Sequence, residues 1–209
     1  MLYLKEHITS STYLAIWKME ESKEELLPLL SHHEWIDHTY SIKSEVRVRE
    51  ILTARILIKE LTGDEKEVCY NNSGKPSFAD NSYHISISHT KGYVAVAINK
   101  DKHIGLDIEY ISEKVKRVQS RFISETEYID KDNELTHLLL HWSAKEAMFK
   151  FIDVEGVNFL SNLFVWKFMP QKDSGTFQAS ETRTQKTYKF DAHYKIDKDF
   201  VLVCLEANN

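Results

Sequence analysis

The chain has 209 residues, 42% hydrophobic and 11% aromatic, enough for one large domain or two small ones with real cores, which excludes wholesale disorder. Its net charge of -5 excludes a globally basic nucleic-acid footprint, and two cysteines, Cys69 and Cys204, are too few for a disulfide framework or a thiolate metal site. The first residues hold no charged segment followed by a long apolar run, and YVAVAI falls far short of a membrane span, so a soluble cytoplasmic protein with no signal peptide is expected.

Along the chain, STYLAIWKM predicts a first strand, rich in aromatic and branched residues. SKEELLPLL opens with Ser22 and Glu25 in a capping-box pattern, and Pro28 ends or kinks it. SEVRVREILTARILIKEL repeats apolar residues at helical spacing and stops at Gly63, which predicts a long packed helix. EKEVCY, YHISISH, YVAVAI and HIGLDIEYI then read as strands separated by NNSGKP, KG and NKDK. The last three of them predict an antiparallel meander. Residues 113–122 and 124–130 predict short helices, the second begun by Ser124 with Glu127 three residues on. The stretch from Leu138 to Ile152 predicts a core helix, and LFVWKFM, TFQAS, TYKFDAHYKI and DFVLVCLEA predict four closing strands. This order predicts an α+β fold in two halves, residues 1–100 and 101–209, joined near NKDK.

Four short stretches hold chemistry. In GLDIEY, strand alternation puts Asp107 and Glu109 on one face, where two like charges suit either solvent or a hard cation such as Mg²⁺ or Mn²⁺. Gly105 permits another backbone or a ligand to approach. In HWSAKEAMFK, helical spacing lines up Trp142, Glu146 and Lys150; the last two also read as an ordinary surface pair, and Trp142 as a core anchor. SGKPSF holds Lys75 before Pro76 in a turn that suits an anion, or plain solvent. SISHT places Ser88 and His89 at a strand end within reach of phosphate oxygens, although a structural histidine reads equally well. Each stretch is ambiguous alone. Together they make an inventory for phosphate-ester chemistry with a divalent ion.

The order GKP, SISHT, GLDIE and WSAKEAMFK, with RFISETEY between the last two, resembles the 4′-phosphopantetheinyl transferases of the two-halved, Sfp-type class. The resemblance covers residues 74 to 150; RVREILTAR resembles that family's N-terminal helix less specifically, and residues 157 to 209 carry no matching motif. It implies two similar α/β half-domains about a pseudo-twofold axis, with the active site in the cleft between them. It implies transfer of 4′-phosphopantetheine from coenzyme A to a serine of an apo acyl or peptidyl carrier protein, releasing adenosine 3′,5′-bisphosphate. The implied metal ligands are Asp107, Glu109 and Glu146, with Mg²⁺ as the ion and Mn²⁺ as an alternative. Asp107, Glu146 and Lys150 are the implied catalytic residues, Glu146 as ligand, general base or both.

Lys75, Pro76, Ser88, His89, Lys145, Lys150, Arg49 and Arg55 are the implied coenzyme A contacts, Lys145 from the flank of the helix. Two halves in one chain imply a monomer. The family often follows its final lysine with a Gly-rich segment, whereas here FIDVEGVNF holds Gly156 alone. For docking an acidic carrier, the expected surface is a helix presenting Lys114, Arg117 and Arg121, with Val115, Val118 and Phe122 as an adjacent apolar stripe. Two other readings share the carboxylates: a metal-dependent phosphohydrolase, and an inactive module that binds coenzyme A or a carrier protein.

Overall fold

The computed structural model describes residues 1–208, which divide into two compact units, Met1–Asp101 and Lys102 onward. Both units are α+β, each laying a long helix on an antiparallel sheet. Among the described residues no helix is long and apolar enough to cross a membrane.

The first unit begins with β1 (Leu2–His7) and β2 (Thr12–Lys18). β1 has no counterpart in the sequence reading. It is a largely exposed edge strand, so no apolar alternation marks it. α1 (Lys23–Leu26) starts as expected: the Ser22 side chain accepts from Glu25 N, and the Glu25 carboxylate accepts from Ser22 N at 2.8 Å. Pro28 lies in the 3-10 turn Leu27–Leu29 that follows. α2 (Glu45–Thr62) is capped by Ser44 and closes on Gly63, whose φ of 79° is open to glycine. Its buried Val48, Leu52 and Ile56 belong to a core shared with Val94, Val96 and Ile98.

β3 (Val68–Tyr70) and β4 (Pro76–Phe78) form a small separate ribbon. β5 (His84–Thr90) and β6 (Tyr93–Asn99) form a hairpin across Lys91 and Gly92, and β6 also pairs with β2, giving the sheet order β1-β2-β6-β5.

The expected three-strand meander stops at that hairpin. β7 (Ile104–Tyr110) opens the second unit and pairs with the last strand, β11 (Phe200–Ala207), with Asp107 opposite Val203 and Glu109 opposite Val201. A partner almost a hundred residues later in sequence, buried along nearly its whole length, outcompetes the adjacent hairpin. The remaining elements are α3 (Lys114–Val118), α4 (Glu134–Ile152), β8 (Leu163–Val165), β9 (Ser174–Glu181) and β10 (Lys189–Ile196). The sheet order is β7-β11-β10-β9-β8, with α4 packed on β7 and β11 over a core that includes Leu138, Ala144, Met148, Val201 and Val203.

Two of the expected helices are shorter than predicted or absent. Residues 113–122 give only α3 and the 3-10 turn Gln119–Arg121. Residues 124–130 form a turn: Glu127 does accept from Ser124 N at 2.9 Å, but the same carboxylate is drawn into the core, and no helix propagates.

Candidate active site

β7 and α4 cross without side-chain spacing. A Cβ on Gly105 would lie 2.1 Å from the carbonyl oxygen of Ala147, so only glycine permits this approach. The close neighbour is a backbone. The crossing lays the Trp142, Glu146 and Lys150 stripe against the acidic face of β7. Lys150 Nζ donates to Asp107 Oδ1 at 2.8 Å and to the Leu106 carbonyl at 3.1 Å. Trp142 Nε1 donates to Glu109 Oε1 at 2.8 Å. Helix and strand therefore run in opposite directions here, and Glu146 falls between the two contacts.

The face is not the solvated one that strand alternation alone allows. Asp107 is only 4% exposed. Burial raises the Glu109 carboxyl above its ordinary range, and the Asp107 charge adds to it, against the Trp142 hydrogen bond and Lys150. Glu146 is pushed up to about 7, first by burial and then by the Asp107 charge, with Lys150 pulling the other way and Glu109 adding a little. Three carboxylates along one strand–helix crossing, two of them raised by burial and by their neighbours' charge, are an oxygen donor set for a hard divalent ion. Their chemistry fits such an ion, while among the described residues no three His, Cys, Asp or Glu side chains are gathered closely enough to hold one as they stand.

Lys145, expected on the flank of the helix, is buried. It has no exposed surface, and its ammonium donates to Glu127 Oε2 at 2.7 Å, to the Phe159 carbonyl at 3.0 Å and to the Phe122 carbonyl. Glu127 Oε1 in turn accepts from Val165 N at 2.9 Å. The pair ties RFISETEY, α4, the loop after it and β8 into one node. Nothing in the residue spacing marks Glu127 as the partner, because its three-residue offset from Ser124 reads as a helix start. The loop after α4 holds its shape without a Gly-rich run: Gly156 takes φ 70°, and Arg183 donates twice to the Glu155 carbonyl, at 2.9 and 3.2 Å.

The apolar half of the expected docking stripe faces inward. Val115 and Phe122 are buried in the core beside Leu138, and Val118 packs against it, which leaves only Lys114, Arg117 and Arg121 exposed.

In the first unit, the Asn71 side chain accepts from Ser73 N, Ser73 Oγ and Lys75 N, and Gly74 at φ 85° completes the turn that presents Lys75. Pro76 starts β4. Ser88 is buried at 4% exposed, whereas His89 is exposed and lies against α2. Its Nε2 accepts from Arg47 at 2.8 Å, and its Nδ1 stands 3.2 Å from Glu50. Arg47 is absent from the sequence candidates, although it lies within RVREILTAR. Arg49 donates to the Glu21 carbonyl at 3.2 Å. Arg55 is 7% exposed and sits beside a small cavity lined by Leu30, Trp35 and Glu65, and burial pulls its guanidinium below the ordinary arginine range.

A family model described as the 4′-phosphopantetheinyl transferase superfamily matches residues 103–205, the segment that carries β7, α4 and every contact of the carboxylate cluster. This segment is similar to the 4′-phosphopantetheinyl transferase superfamily. A curated relative, the 4′-phosphopantetheinyl transferase gsp of Aneurinibacillus migulanus, is 32% identical over 110 residues. That alignment covers 49% of this chain and 46% of the relative, so the chain spans about half the length of the curated relative it matches. Within the matched segment, Asp107, Glu109, Glu146 and Lys150 lie along the β7–α4 crossing, while Lys145 lies inside the fold.

Proposed function

We propose that this chain transfers the 4′-phosphopantetheine group of coenzyme A to a serine of an apo acyl or peptidyl carrier protein, as an Sfp-type enzyme. The observation that supports it most is the meeting of Asp107, Glu109, Glu146 and Lys150 across β7 and α4 within the segment that matches the superfamily.

The reacting group is a diphosphate whose negative charge repels an attacking hydroxyl. Lys150 brings a fixed cation to that place, held by Asp107 and the Leu106 carbonyl. Glu146, on the same stripe as Lys150, is the proposed base that takes the proton of the carrier serine as its oxygen bonds to the β-phosphorus. The bond to the α-phosphate oxygen then breaks, and adenosine 3′,5′-bisphosphate leaves. Asp107, Glu109 and Glu146 are the residues that would hold Mg²⁺, which when bound supplies positive charge to the diphosphate oxygens. Lys75, Ser88 and His89 of the first unit are the proposed contacts for the nucleotide phosphates, with Arg47 added beside His89. Lys145 is left out of this set because its hydrogen bonds run to Glu127 and two backbone carbonyls.

The test is to incubate the protein with coenzyme A, MgCl₂ and a panel of apo carrier proteins and to weigh each carrier by mass spectrometry. A gain of one phosphopantetheine, abolished by Asp107→Ala and strongly slowed by Glu146→Gln, is expected. No gain on any carrier, or phosphate release without a carrier, overturns the proposal.

A further inference from the structure

Trp142 reads in the sequence as a core anchor, and its ring does pack, edge-on to Phe122 at 5.1 Å between ring centroids and tilted against Phe159 at 5.7 Å. Packing uses only the ring. The indole N–H has a separate partner, Glu109 Oε1 at 2.8 Å. The other two side chains on the stripe reach the same surface, so the ring nitrogen ends among the carboxylates rather than in the apolar core. A carboxylate turns easily about its last torsion, and one oxygen fixed by an N–H donor leaves the second with a defined direction.

We propose that Trp142 is a positioning residue: its indole N–H holds one oxygen of Glu109 so that the other is presented to a divalent cation shared with Asp107 and Glu146. This rests on the reading of those three carboxylates as a cation site. Outer donors of this kind set ligand direction and are worth roughly 10- to 100-fold in metal affinity.

Trp142→Phe keeps the aromatic packing and removes the donor. Calorimetric titration with MgCl₂ and MnCl₂, without coenzyme A, compares wild type, Trp142→Phe and Asp107→Ala. The expected result is a Kd about 10-fold weaker in Trp142→Phe and no binding in Asp107→Ala. A second measurement does not depend on that variant folding. In the ¹⁵N-labelled wild type, the Trp142 indole resonance is assigned by elimination through Phe replacements at Trp17, Trp35 and Trp166. It should shift when Mg²⁺ is added. An unchanged affinity in a folded Trp142→Phe, or an indole resonance that Mg²⁺ leaves in place, overturns the positioning role and leaves the cation site standing. A wild type that binds neither ion overturns both.

Discussion

A lysine with no exposed surface must hand its N–H groups to the protein, because an unpaired buried ammonium costs several kcal/mol. Lys145 does so through Glu127 and two carbonyls. Removing one partner of such a pair costs about 3–5 kcal/mol, since the other charge stays buried. Lys145→Met should therefore lower unfolding free energy by about that much, and adding Glu127→Leu should restore part of it. Urea unfolding of the single and double variants measures this; a loss under about 1 kcal/mol, with weakened coenzyme A binding instead, would return Lys145 to the ligand. Its neighbour shows the reverse case. Glu146 and Lys150 were legible from helical spacing, and Asp107 and Glu109 from strand alternation, because periodicity states which side chains share a face. It does not state which face is buried, nor that Glu127, 18 residues away on a non-helical turn, completes Lys145.

Among the elements, α4 carries the most and was only partly legible. Its length and core character follow from composition, but almost its whole circumference is occupied, so no single apolar stripe marks an inner side. One face meets the carboxylates of β7. Elsewhere on the helix His137 and His141, one turn apart, are fully buried against Phe168, and no metal spacing drew notice to them. His137 Nδ1 accepts from Asp130 N, and His141 Nδ1 donates to the His137 carbonyl, each at 2.9 Å. Burial pushes His137 down to about 4, against the Asp130 charge, and His141 down to about 3, with His137 and Lys145 adding to it. Both bases are depressed in the folded chain, so the unfolded chain binds more protons between pH 6.5 and 4. The histidines' contribution to stability is then full above pH 6.5 and falls as pH drops through that window, while the raised Glu146 and Glu109 carboxyls contribute the opposite slope. Each titrating histidine contributes a slope of about 1.4 kcal/mol per pH unit. His141→Asn, whose amide can keep the bond to the His137 carbonyl, should remove about one proton from that slope. Unfolding free energies at pH 5, 5.5 and 6 measure it, and an unaltered slope would mean that His141 titrates normally. The neighbouring strands carry a different lesson. The β5–β6 hairpin was legible because its pairing is local, while β7 joined β11 because a long-range apolar partner decides what no nearby residue encodes.

At the scale of the whole chain, charge is close to balanced in both units: residues 1–101 hold 12 Lys and Arg against 15 Asp and Glu, and residues 102–209 hold 15 against 17. No global field attracts an acidic partner, so any steering must come from a local cluster. α3 and the turn after it supply one. Lys114, Arg117 and Arg121 are exposed, while Lys116 is engaged by Glu113 at 2.9 Å and Glu134 at 3.6 Å. The sequence reading paired this basic row with an apolar stripe, and the fold consumes that stripe for its own core through Val115 and Phe122. What that row can offer the proposed carrier is electrostatic. Contacts of this kind act on encounter and on salt dependence more than on the bound state. Reversing Lys114 and Arg117 to Glu together should raise KM for an apo carrier by roughly 10-fold at low salt. The same variant should leave kcat and the KM for coenzyme A unchanged, because neither residue lies on β7 or α4. The wild-type advantage should shrink as NaCl rises toward 0.5 M, where the screening length drops to about 4 Å. Steady-state kinetics at two salt concentrations decide it: equal carrier KM for both proteins at low salt would remove α3 from the docking surface, and a salt-independent loss would point to direct contact in place of steering.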